Sequence, residues 1–533
     1  MANTYRNPVI PGFNPDPSIC HVPGKGYFLS TSTFEYFPGL PVYHSTDLVN
    51  WKIIGHAINR RSQGVDMRTV ETSAGLWAPT FRYNKGRWYM ICSCFWRARF
   101  TPPREMISSG FYVWTDDIFD DSKWSDAVYF EDVGFDQDLL FDDDDRVYHT
   151  VTRYRFTGPV SNPVKNLESW ITEIDLATGT TLSPPVLARQ SPLNVAEGCH
   201  IIKHEGMYYL FVAEGGTEGG HRECVYRAAQ PMGPYLPPPD GVNPLIFNHG
   251  HPRVQNTGHL DLVAGDDGKW VGVCLGVRPV FPVRRTTTGM GGMPSQLGRE
   301  TFLVPVEWVD GWPVVNGRKD IDLEGTADFG VQLPVETHWE DAFDTETLSL
   351  GWYHVRVPLR TTYAVSPRGL ALRGGPDTLD VDHCPSLLLR KQTAFNLDWS
   401  TEVDFSPKFG EEAGTVAWIA RGAYASLGVR GTEHGREVVF KRPVGDADEF
   451  VSTSSAIPPS GPVTMFIRAR TLEYTFSFVA GNGAEVVVGS VSSDNLSPLF
   501  TGVHIGVYAQ GYMSNPCLEN AYFKYCKWDL VDA

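Results

Sequence analysis

The chain has 533 residues and a formal net charge of −17. That length exceeds one ordinary core, so two or more domains are expected. The acidic balance, with no basic stripe, argues against nucleic acid and anionic membranes as partners, and the absence of any run of 18 apolar residues argues against a membrane span.

In chain order, the opening "MANTYRNPVI" is polar and carries no apolar signal segment, which predicts a cytoplasmic protein. Nine cysteines agree with that: they are odd in number and scattered, and only Cys92 and Cys94 are close, on a strand-like run. The stretch "NPVIPGFNPDPSIC" clamps one carboxylate, Asp16, between Pro15 and Pro17. Proline fixes φ and restricts the residue before it, so this is a stiff, extended lead-in. A repeat follows. Five turns, in "GKGYFLSTST", "NKGRWYMICS", "DDDRVYHTVT", "HEGMYYLFVA" and "DDGKWVGVCL", each precede aromatic and branched residues. The turn positions Gly26, Gly86, Asp145, Gly206 and Gly268 lie 60, 59, 61 and 62 residues apart. With a run before each turn and further runs after it, each unit reads as about four short strands. Five units predict a five-bladed β-propeller over residues 1–325. The "DDDD" at 142–145 lacks calcium-loop spacing and reads as a solvated turn.

Nine residues before the turns lie Trp77, Asp136, Glu197 and His259; ten before Gly26 lies Asp16. The innermost strand of each blade lines the channel, so these five residues are expected to meet near the axis. Three converging carboxylates drive their pKa values apart. One then serves as general acid and another as general base, the division that inverting glycoside hydrolysis needs. Trp77 offers a sugar-stacking wall or a core ring. His259 offers a ligand to a cation or water, or a hydrogen bond to a carboxylate. A metal centre is the rival chemistry, weakened by the lack of paired-His spacing. The expectation is no required cofactor, with calcium in the channel as the candidate ion.

The stretches "NPVIPGFNPDPSI", "STSTFEYFPGLPVYHSTDLVNW", "LWAPTFRY", "GFDQDLLFDDDDRVY", "EGCHIIKHEGMYYLFVAEGGTE" and "LGRETFLVPVEWVDGWPVVN" run through the whole expected propeller. In them the chain resembles glycoside hydrolase family 43, especially its β-xylosidases with an added C-terminal β-sandwich. The resemblance implies a five-bladed propeller, inversion, and exo removal of a xylose or arabinose unit. It implies Asp16 as general base, Asp136 as the residue that tunes and orients the acid, and Glu197 as general acid. It further implies Arg299 as a sugar contact paired with carboxylates, Phe34 and Trp77 as pocket walls, and Thr217 as a hydroxyl contact. Gln137 and Cys199 stand where the family usually has proline, and the segment around residues 93–114 reads as an atypical rim loop.

From about Glu340 the pattern becomes alternating strands with turns, predicting a β-sandwich over 340–533 after a linker at 326–339. By resemblance this domain closes the pocket with an aromatic, for which Phe500 is the candidate, and the chain is a candidate homo-oligomer. The expected substrates are xylo-oligosaccharides or arabinoxylo-oligosaccharides. The expected activity is that of an exo-acting β-1,4-xylosidase that also releases α-L-arabinofuranose. A dedicated arabinofuranosidase is the alternative, and a non-catalytic sugar-binding propeller the reading from another class.

Overall fold

Each of the five turn positions adopts left-handed backbone, with φ from 68° at Asp145 to 92° at Gly26. Glycine and aspartate tolerate that region best, which is why the repeat is visible in the sequence. In the computed structural model, which describes residues 3–97, 106–154, 166–280, 295–358, 360–444, 449–496 and 500–531, each turn joins the first two strands of an antiparallel sheet. The innermost strands are Ser18–Val22, Gly75–Asn84, Phe135–Phe141, Ala196–His204 and Gln255–Ala264. They neighbour one another in order, and the fifth lies against the first, so the sheets form a closed five-bladed wheel.

Four blades have the expected four strands; the fourth has three. Its outer position is taken by a proline-rich stretch that meets the sheet at the bridges Glu223↔Ile246 and Arg227↔Leu236 and through the Asn243 amide on Val225, not as a continuous ladder, because proline lacks the N–H a ladder needs. The wheel is fastened by its own start. Asn3–Arg6 pairs with Glu324–Ala327, and Asn7 and Val9 donate backbone bonds to Leu323 and Thr301. The stiff lead-in thus runs along the fifth blade and ends at Asp16.

Two boundaries differ from expectation. The first unit comprises 1–279 and 299–333, the second 280–298 and 334–533. The propeller therefore reaches 333 rather than 325, since the expected linker begins inside a paired strand. The segment before Arg299 goes with the second unit because Gln296 accepts from Val503 N and donates to Thr471 O, both at 2.8–2.9 Å.

The second unit is a sandwich of an eight-stranded and a six-stranded sheet. Their facing sides bury Leu388, Leu427 and Phe440 from one sheet against Trp399, Phe476 and Phe523 from the other. Each such side chain contributes about 1.5–3 kcal/mol on burial. Among the described residues no helix is long and apolar enough to cross a membrane.

Candidate active site

Four of the five innermost strands break their regular pairing at the same level. The register slips between Trp77 and Thr80, Phe135 and Asp138, Glu197 and His200, and Gly258 and Asp261. At each slip, and just ahead of the first strand, one residue has positive φ: Asp16 (53°), Ala78 (41°), Asp136 (53°), Gly198 (60°) and His259 (55°). The slips are β-bulges, which re-aim side chains. The bulges turn Asp136 and Glu197, and the positive-φ lead-in turns Asp16, toward one another.

Asp16 is 5% exposed. Its Oδ1 accepts from Arg299 Nη1 at 2.8 Å and its Oδ2 from the Ser32 hydroxyl at 2.6 Å. The same Ser32 oxygen accepts from Ala78 N at 2.6 Å, tying the first blade to the bulge of the second. Asp136 Oδ2 accepts from Gly198 N at 2.9 Å, the peptide next to Glu197. Burial and the Asp16 charge push the Asp136 carboxyl up to about 7. Glu197 is partly exposed. Burial, then the charges of Asp136, Glu218 and Asp16, push its carboxyl well above the usual range. Glu218, not singled out in the sequence, thus acts as a fourth carboxylate beside the acid.

Arg299 also donates to Thr217 Oγ1 at 3.2 Å and stands over the Phe34 ring at 5.5 Å. Phe34 meets Trp77 with centroids 5.7 Å apart. One face of Trp77 is stacked on Phe95 at 3.9 Å, and the indole stays partly exposed. Arg299, Thr217, Phe34 and Trp77 therefore join the three carboxylates in one place. His259 is at the ring, but its Nδ1 is 3.9 Å from Asp16 Oδ1, beyond hydrogen-bond range. Burial lowers its imidazole to about 3 and keeps it neutral. Among the described residues no group of three or more His, Cys, Asp or Glu side chains is placed to hold a metal. Phe500 belongs to the second unit, so it is not among the residues the wheel brings together. The core of the expected rim loop, residues 98–105, lies outside the described residues.

Sequence reasoning missed Ser32 and a second layer of polar side chains behind the ring: Ser18, Arg82, Asp138, His200 and Asp261. The available signal was spacing, since Ser18, Asp138 and Asp261 each follow a ring residue by two.

A raised, protonated carboxyl opposite an arginine-paired carboxylate can donate a proton at one point and accept one from water at another. Comparisons with known proteins agree with that chemistry. Residues 5–313 match the family described as Glycosyl hydrolases family 43, and residues 340–529 match the Beta xylosidase C-terminal Concanavalin A-like domain. The chain is 38% identical to a non-reducing end α-L-arabinofuranosidase of Bacteroides ovatus, over 95% of this chain and 92% of that one. It is 28% identical to a β-xylosidase of Bacillus subtilis, over 97% and 99%. Among solved structures, a xylan β-1,4-xylosidase of Bacillus halodurans superposes with a TM-score of 0.86 at 27% identity, covering 98% of this chain and all of that one.

Proposed function

The chain belongs to glycosyl hydrolase family 43 and is a glycoside hydrolase, and from that premise we propose that it removes single xylose units from the non-reducing end of β-1,4-xylo-oligosaccharides with inversion. The observation that carries the reading is that Asp16, on the positive-φ lead-in, and Asp136 and Glu197, at two bulges of the same wheel, lie close enough for their charges to act on one another. Glu197, protonated because burial and neighbouring carboxylates disfavour its charge, donates to the leaving oxygen. Asp16, held at both oxygens by Arg299 and Ser32, takes a proton from the attacking water. Asp136 grips the Gly198 N–H and so fixes the peptide that carries Glu197. Arg299, Thr217, Phe34 and Trp77 bind the sugar, two by hydrogen bonds and two as walls. The reaction uses these side chains and no cofactor.

A second reading is release of α-L-arabinofuranose from substituted xylo-oligosaccharides. It is favoured by the 38% identity to an enzyme named for that activity. Incubation with xylobiose and with an arabinofuranosyl-substituted xylo-oligosaccharide, followed by NMR of the first-formed product, separates the two. Xylose appearing first as the α-anomer is the expected result. Arabinose alone moves the specificity to debranching, and retention of configuration overturns the assigned roles. Glu197→Gln is expected to lower turnover of these natural leaving groups by at least about 100-fold.

A further inference from the structure

Behind the carboxylate ring, one cation joins all five blades. Arg82 of the second blade meets Asp138 of the third through Nε at 3.0 Å. Its Nη1 reaches Asp261 of the fifth at 2.8 Å and Ser18 of the first at 3.4 Å. Its Nη2 donates to His200 Nδ1 of the fourth at 3.2 Å. Guanidinium has donors only, so His200 Nδ1 accepts at this contact. The carboxylates also collect strand ends: Asp138 accepts from Ile201 N at 3.0 Å and Asp261 from Ile19 N at 3.1 Å. The Ser18 oxygen accepts from Phe81 N at 2.8 Å. Asp138 and Asp261 are fully buried.

The placement of this hub has a specific relation to the site. Asp138, His200 and Asp261 are the first residues to regain regular pairing after the three bulges, opposite Thr150, Phe211 and Val273. Ser18 opens the pairing of the first blade opposite Ser30. Each bulge holds a residue in a sparsely populated backbone region, which persists only where its surroundings over-determine it. The hub anchors the far end of every one. We propose that Arg82, Asp138 and Asp261 are positioning residues, which set the aim of the three carboxylates and supply a fixed charge behind them. This rests on the catalytic roles given above.

The charge has a definite sign. Arg82 carries one positive charge and Asp138 and Asp261 one negative each, so these three leave one net negative charge behind Asp136 and Glu197. The other groups around the hub include Cys20, His149, Cys199, Glu223, Tyr235 and His259. Burial opposes the charged form of each. Asp16, Arg299 and Glu218 face the acid from the pocket side. Removing a hub carboxylate therefore makes it easier for Glu197 to ionise, and removing Arg82 makes it harder.

The test uses Asp138→Asn, Asp261→Asn and Arg82→Met in the full chain, with kcat, KM and the pH dependence of kcat/KM on the substrate turned over by the parent. Asp138→Asn and Asp261→Asn are expected to lose about 10-fold or more in kcat with KM within about twofold. Their alkaline limb should move to lower pH by roughly half a unit or more. Arg82→Met should move that limb the other way, and Arg82→Lys should return it toward the parent. If Arg82→Met does not fold, the two asparagine variants still decide. Folded variants with parental kcat and limbs overturn the proposal, as do shifts of one sign whichever charge is removed. Glu197→Gln runs alongside. If it is inactive while the hub variants match the parent, the hub proposal alone fails. If it keeps full turnover, the catalytic reading fails and takes the hub's role with it.

Discussion

Asp136 is buried beside Asp16 and Glu197, and its carboxyl is pushed up from about 3.8 to about 7. The folded state therefore holds a proton there that the unfolded chain releases at lower pH. A raised carboxyl contributes stability at low pH and loses it as pH climbs from the ordinary carboxylate range through the folded value. Asp136→Asn removes that penalty while its amide oxygen can still accept from Gly198 N. The variant is expected to melt higher than the parent at pH 8, and the gain should vanish below about pH 4; melting curves across that window check it. Its activity should fall above about pH 7, where the ionised Asp136 otherwise helps keep Glu197 protonated. The ring acids were legible in the sequence through their spacing from the turns. Ser32 was not, since nothing in "STST" distinguishes a hydroxyl that donates to Asp16 from one that faces a strand neighbour.

The bulge is the working element of each blade. Gly198, in the fourth, lies at φ 60°, and a Cβ there would stand 2.8 Å from His259 Nδ1. Gly198→Ala must therefore displace the imidazole or the acid-bearing strand. A loss of about 100-fold in kcat is expected, measurable by steady-state kinetics on a variant whose circular dichroism matches the parent. The turns announced themselves because left-handed backbone selects glycine and aspartate at all five. The bulges did not, because Asp16, Ala78, Asp136 and His259 take the same backbone without a glycine to mark it. The hub was hidden for another reason: its contacts join residues such as Arg82 and Asp261, 179 apart, which no local pattern links. The two domains were readable from a change in strand spacing, whereas the return of residues 280–298 to the second unit depends on distant backbone bonds.

At the scale of the molecule, the first unit holds itself shut with its own beginning. Asn7 donates through Nδ2 to Leu303 O at 3.0 Å and accepts from Leu303 N at 2.9 Å, while Glu300 accepts from Gly12 N at 2.7 Å. Asn7→Ala leaves both backbone groups of Leu303 without this partner in a buried seam, at a cost of about 1–3 kcal/mol. Chemical denaturation of the variant should show that loss. The seam also brings together Asp16 and Arg299, 283 residues apart in sequence. A ribosome must therefore deliver almost the whole first unit before Asp16 meets Arg299. No shorter nascent piece contains that pair, so a chain stopped before the last blade lacks this bond, and proteolysis that frees the lead-in would break it.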